Sequence, residues 1–166
     1  MNRWPQLTLA RRDAAVADPL PWAMADRRGF KITGEDDGLW LRVLDPVVAL
    51  EARSYEADGD VRIAVSDPLG FAHGVYALSV RHGKATVTAD IATDATSDVS
   101  MDVSALGSVY LGGVRVDTLA RTGQVTSKSR DAIDILDALL AHREQPYCIT
   151  HFWTTSDLKR PMAGIN

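Results

Sequence analysis

The side chains able to do chemistry are few and scattered. The four histidines are His73, His82, His142 and His151. Their spacing fits neither H-x-x-x-H nor H-E-x-x-H, the patterns that put two ring nitrogens on one helical face for a metal. His73 and His82 fall in loop-like sequence. His142 closes a helical stretch, where the dipole favours a partly positive ring. Cys148 is the single cysteine, so no intramolecular disulfide can form. His151 lies three residues beyond it, but no third group orients the pair. A thiol without an activating neighbour is a packing residue rather than a nucleophile. Asp131, Asp134 and Asp137 recur at consecutive helical turns and could share a metal, yet the same spacing describes a solvated face opposite an apolar stripe, which is the expectation here. Ser104 belongs to no G-x-S-x-G elbow. Trp40, Phe71, Tyr76, Tyr110, Phe152 and Trp153 are the aromatics that could line a groove for a small apolar or amine ligand. Ordinary core packing competes with that role.

Bulk composition narrows the classes. The chain has 166 residues, 46% of them hydrophobic and 24% charged, with a formal net charge of −4. That length suits one domain with a core large enough to need no metal or disulfide. The acidic balance speaks against nucleic-acid binding, which needs a basic face. One cysteine suggests a reducing compartment. No apolar stretch reaches the roughly 18–20 residues of a membrane span, and the N-terminal sequence lacks a basic flank with an apolar centre. A cytoplasmic domain is expected.

The elements that would position these groups follow from periodicity. Asp18-Pro19 and Asp45-Pro46 pair a capping carboxylate with a proline at the first helical position, predicting helix starts. The first helix would run over 20–28 to Gly29, and the second would bury Val47, Val48 and Leu50. Period-two alternation predicts strands at 39–43, 61–66, 76–80, 85–91 and 99–103, with a tight hairpin at His82-Gly83. Ser104 would cap a helix over 105–111 and Gly112-Gly113 would end it. A second short helix over 114–121 would bury Val116 and Leu119 and stop at Gly123. Ser129 would cap the longest helix, with Ile133, Leu136 and Leu140 as its buried stripe. The expected fold is α+β: a five-stranded, mainly antiparallel sheet covered by helices largely on one face.

Three blocks carry a more specific signal. They are GLWLRVLDPVVALEAR at 38–53, DVSMDVSALGSVYLGG at 98–113 and AIDILDALLAHREQPYCITHF at 132–152. In this order and spacing they resemble the C-terminal, sterol-carrier-protein-like domain of GNAT acetyltransferases of the Eis ("enhanced intracellular survival") type. The resemblance covers 18–152, leaving 1–17 as a lead-in and 153–166 as a tail. It implies a domain that follows two GNAT-like domains, walls off part of their substrate site and takes part in a hexamer. The family's final aromatic residue offers its free carboxylate as general base. The matching position is Phe152, but Trp153 follows it, so Phe152 carries an amide carbonyl, which is no base near neutral pH. His151 is the titrating group nearest that position. The R/Q-x-x-G-x-G/A turn that cradles acetyl-CoA pyrophosphate has no counterpart in the chain. The resemblance therefore implies a domain that is inactive alone and holds no cofactor itself, with acetyl-CoA entering only through missing GNAT domains. Its partners would be those domains, a homologous chain or further copies of itself. The rival expectation is a carrier module for a lipid, a sterol or another apolar ligand.

Overall fold

The computed structural model describes residues 19–32, 39–90, 97–144 and 146–148. They fall into two compact units, one of them Trp40–Pro146. In the other, helix α1 spans only Leu20–Ala23, with Pro19 at its start and no side-chain cap. A separate 3-10 turn, Arg27–Gly29, follows, with Asp26 accepting from the Arg28 amide. The single helix expected over 20–28 is thus two short turns, linked by Arg27 lying 3.5 Å over the Trp22 ring.

The larger unit is built on one five-stranded sheet of order β3-β2-β1-β4-β5. Strand β1 (Gly59–Ser66) pairs antiparallel with β2 (Gly74–Arg81), and β2 with β3 (Lys84–Asp90). His82 (φ 53°) and Gly83 (φ 78°) make the two-residue turn between β2 and β3. Both residues need positive φ, the geometry that matches strand twist. β4 (Val99–Asp102) lies beside β1 in parallel, and β5 (Val125–Ser127) pairs antiparallel with β4. The sheet is therefore mixed, antiparallel in three of its four ladders.

Two strand expectations change. The stretch 39–43 joins no ladder, and its place as fifth strand is taken by β5. Its alternation is nevertheless real. Leu41 and Val43 turn inward, and Trp40, Arg42 and Leu44 outward.

Val61, Ile63 and Val65 of β1 share one sheet face with Tyr76, Leu78 and Val80 of β2. Against them pack Leu50 of α2 (Pro46–Ala52), Leu106 and Val109 of α3 (Val103–Tyr110), and Leu136, Leu139 and Leu140 of α5 (Arg130–Leu140). Leu119 and Val116 of α4 (Val116–Arg121) complete the cluster. Each fully buried side chain of this size contributes about 1.5–3 kcal/mol of transfer free energy.

The helix starts follow from local chemistry. Asp45 accepts from the Val48 amide and Ser129 from the Ala132 amide. α3 is capped by Asp102, which accepts from Ala105, and not by Ser104, whose hydroxyl donates instead to the same carboxylate. Both donors reach the same carboxylate oxygen, Asp102 Oδ1, whose lone pairs and negative charge accept the two bonds together. Val48, expected inside, is 63% exposed on the first turn of α2.

Candidate functional site

The end of the sheet where β1 leaves the core and α3 begins forms a cleft of about 650 Å³. Ser66 and Asp67 supply one side, Asp102 and Ser104 another, with Arg42 and His73 completing the polar lining. Pro68 and Val103 give it an apolar surface. Parallel pairing is the reason these groups meet, because Ser66 at the end of β1 sits opposite Asp102 at the end of β4.

Asp67 organises the cleft. Its side chain is buried in an ion pair with Arg42, which is itself partly exposed. It also accepts from the Leu69 amide at 2.9 Å and the Ala72 amide at 2.9 Å. The Ala72 amide foremost, then the Leu69 amide and the Arg42 guanidinium, hold this carboxyl below the usual carboxylate range despite burial. The Ala105 amide and the Ser104 hydroxyl do the same for Asp102. Both acids are ionised at neutral pH. The loop 67–72 is thereby wrapped around one anionic centre and clasped to the segment carrying Arg42.

A second constellation lies where three helices end. The Arg53 guanidinium, following α2, donates to the Tyr110 carbonyl at 2.6 Å and the Leu140 carbonyl at 3.1 Å. Those are the last residues of α3 and α5, whose carbonyls lack helical partners. The guanidinium lies 4.9 Å from the Tyr55 ring centre and 5.9 Å from that of Tyr110. Tyr55 donates to the Leu50 carbonyl at 2.6 Å and Tyr110 to the Ala49 carbonyl at 2.8 Å. Burial lowers the Arg53 pKa and pushes the Tyr55 hydroxyl up to about 12.

The glycines of the 98–113 block explain how tightly these parts approach. A Cβ on Gly107 would lie 2.7 Å from the Leu41 carbonyl oxygen. One on Gly112 (φ +79°) would lie 2.8 Å from the His142 Cβ, and one on Gly113 would lie 2.9 Å from the Pro146 Cγ. Leu41 and the stretch after α5 are therefore laid directly onto α3 and the turn that ends it.

The aromatic set expected to line a groove separates. Tyr76 is in the core, its hydroxyl donating to the Ala72 carbonyl at 3.1 Å, and Tyr110 is held at the Arg53 junction. Trp40 and Phe71 are 86% and 65% exposed, on the two segments that Arg42 and Asp67 join. Phe152 and Trp153, together with His151, lie outside the described residues. His73 lines the cleft, His82 is in the hairpin turn, and the His142 ring nitrogen Nδ1 is 3.2 Å from the Glu144 amide.

Among the acids of α5, Asp134 pairs with Arg130 on the surface, but Asp137 is not on a solvated face. It is buried and bound by the Arg115 guanidinium and the Asp117 amide, so that it joins α4 to α5. Among the described residues no group of three or more His, Cys, Asp or Glu could hold a metal ion.

The cleft was missed from sequence because Asp67-Pro68 read only as a turn and Arg42 as the polar side of a strand. The available signal was the aspartate itself, since Asp at the first position of a turn accepts the amides that follow.

A single mixed sheet with α2, α3 and α5 packed on one face, and a polar cleft at the β1–α3 corner, defines an α+β domain of the sterol-carrier class. Residues 46–149 match the family described as "Sterol carrier protein domain". The chain belongs to that family. It is 38% identical over 127 residues to "N-acetyltransferase Eis" of Mycobacterium tuberculosis, covering 75% of this chain and 30% of that protein. An "Uncharacterized N-acetyltransferase" of Streptomyces avermitilis is 35% identical over 134 residues, or 81% of this chain and 31% of that protein. The crystal structure of Eis1 from Mycobacterium abscessus superposes with a TM-score of 0.69 at 41% identity, over 82% of this chain and 34% of that one. The chain thus spans about a third of the length of the proteins it matches. Among the described residues no helix is long and apolar enough to cross a membrane.

Proposed function

We propose that the chain acts as the sterol-carrier-like accessory domain of an Eis-type N-acetyltransferase, forming part of a substrate-site wall and of an oligomer contact, and leaving the chemistry to acetyl-CoA-binding domains. The observation that carries this reading is the extent of the match: 75% of this chain against 30% of an enzyme named N-acetyltransferase. Local chemistry supports the division of labour. Acetyl-CoA in such enzymes needs free backbone amides at a helix start to receive its pyrophosphate. Here Asp45, Asp102 and Ser129 each accept from the amide of the third residue of α2, α3 and α5, and Asp137 takes the Asp117 amide of α4. The Asp45 and Asp102 carboxylates at two of those helix starts repel a pyrophosphate, which supports placing the cofactor on other domains. His151 and Phe152, at the position from which the family's terminal carboxylate acts, are proposed to approach the substrate amine, and Trp40, Phe71 and Trp153 to shape the surrounding wall.

The carrier reading is weaker. A lipid or sterol carrier needs an apolar cavity between sheet and helices, and that space holds Leu50, Ile63, Leu78, Leu106, Leu136 and Leu139, each below 2% exposure. The test is native mass spectrometry of the purified chain together with calorimetric titration of acetyl-CoA. A bare chain, monomeric or in a defined oligomer, that takes up no acetyl-CoA is the expected result. An apolar adduct of a few hundred daltons would favour the carrier, and stoichiometric acetyl-CoA binding would overturn the accessory role.

A further inference from the structure

Four large apolar side chains are left in water around the Arg42–Asp67 pair. Trp40 is 86% exposed, Leu44 58%, Leu69 66% and Phe71 65%. They sit on two segments only. Trp40, Arg42 and Leu44 are all exposed on the segment 40–44, and the loop carrying Leu69 and Phe71 is folded around Asp67. The ion pair joins the two segments at the mouth of the cleft. Large apolar side chains left exposed close together commonly mark an interaction site. The loop is also preorganised. Three donors converge on the Asp67 carboxylate, so little conformational entropy remains to be lost on docking.

We infer that this Trp40–Leu44 and Leu69–Phe71 surface is the seat of the acetyl-CoA-binding remainder of an Eis-type acetyltransferase. The inference rests on the accessory-domain reading and names the surface it uses. Two features choose this occupant. In the relatives this domain is about 30% of one longer chain, so a covalently supplied neighbour is always at hand to cover it. An acyl chain or a membrane would have to desolvate the Arg42–Asp67 pair and the Asp102 carboxylate in the cleft wall, which is costly without compensating bonds. A protein surface supplies such bonds. It would set apolar side chains over Trp40 and Phe71 and a basic or amide donor toward the cleft. Aromatic anchors beside an arginine are the composition that dominates such contacts.

The experiment compares backbone hydrogen exchange in the full chain with that in a full-length chimera, in which the matched part of the Mycobacterium tuberculosis enzyme is replaced by the corresponding residues of this chain. Exchange over 40–44 and 67–73 should slow at least tenfold in the chimera, while the His82-Gly83 turn is unchanged. Phe71→Glu combined with Leu69→Glu should abolish that protection and leave the melting temperature of the isolated chain unaltered, because both side chains lie in water. Protection elsewhere on the domain but not at 40–44 and 67–73 would overturn the surface while leaving the accessory role standing. No protection on any face of the chimera would overturn both. A concentration-dependent dimer of the isolated chain with the same segments protected would assign the surface to a second copy instead.

Discussion

Gly107→Ala is the substitution whose sign is most informative. Gly107 lies inside α3, and in a solvated helix interior alanine is more stable than glycine by about 1 kcal/mol. Propensity alone therefore predicts a gain. The structure predicts a loss. The new methyl would stand 2.7 Å from the Leu41 carbonyl oxygen, and that oxygen is backbone, with no rotamer to escape into. Leu41 is held by its packing on the core and, one residue on, by the Arg42–Asp67 pair. Overpacking of this kind costs about 1–3 kcal/mol. With the clash at the upper end of that range and the propensity gain set against it, the net destabilisation is about 1–2 kcal/mol, or a melting temperature lower by about 2–8 °C for a chain of this size. Differential scanning calorimetry reads the shift directly. Ser108→Ala, at the exposed neighbouring position, reports the propensity effect without the clash. A melting temperature for Gly107→Ala equal to or above that of the wild-type chain would refute the close approach of Leu41 to α3.

Arg53→Met keeps most of the buried stem but strands the Tyr110 and Leu140 carbonyls at two helix ends. Loss of two charge-assisted bonds should cost about 2–4 kcal/mol, seen as a lower urea midpoint with an unchanged slope. Tyr55 has its pKa raised in the folded chain to about 12, against about 10 when unfolded. Its contribution is complete below pH 10 and lost as pH rises from 10 towards 12, so denaturation titrations should show an alkaline fall in stability that Tyr55→Phe flattens. Asp67 is shifted the other way, its pKa lowered. Its contribution is present above about pH 4 and lost as pH falls through the depressed folded value. Asp67→Asn should destabilise at pH 7, and its difference from the wild-type chain should shrink in acid; a constant difference across that range would contradict the hydrogen-bond geometry.

The parts of the fold governed by local rules were legible in the sequence. Asp45 and Ser129 cap the helices they were expected to cap, because a side-chain acceptor at that position needs nothing from the rest of the molecule. The hairpin was equally readable, since alternation on both sides of His82-Gly83 leaves one register. What failed depended on distant partners. Alternation over 39–43 reports which side chains face the core, and it cannot report that no neighbouring backbone completes a ladder. β5 has three residues, too few for a period to show, and exists because β4 offers it an edge. The parallel β1–β4 pair brings Ser66 to Asp102 across thirty-five intervening positions, and the cleft inherits that illegibility. Asp137 looked solvated because an isolated helix cannot reveal that Arg115 approaches its buried side.

The order of the sheet sets a timetable for folding during synthesis. β1, β2 and β3 are consecutive and antiparallel, so their pairing is available as soon as they emerge. β1 is nevertheless a central strand whose other edge waits for β4, and the side chains that cover its beginning, Ile135 and Leu139 beside Gly59, belong to the last helix. β1 thus keeps an open edge until β4 emerges, and an uncovered apolar face for longer, until α5 has left the ribosome. Nascent chains whose α5 is still inside the exit tunnel should be clients for chaperones that bind exposed apolar surface, whereas chains long enough for Leu140 to have emerged should be released.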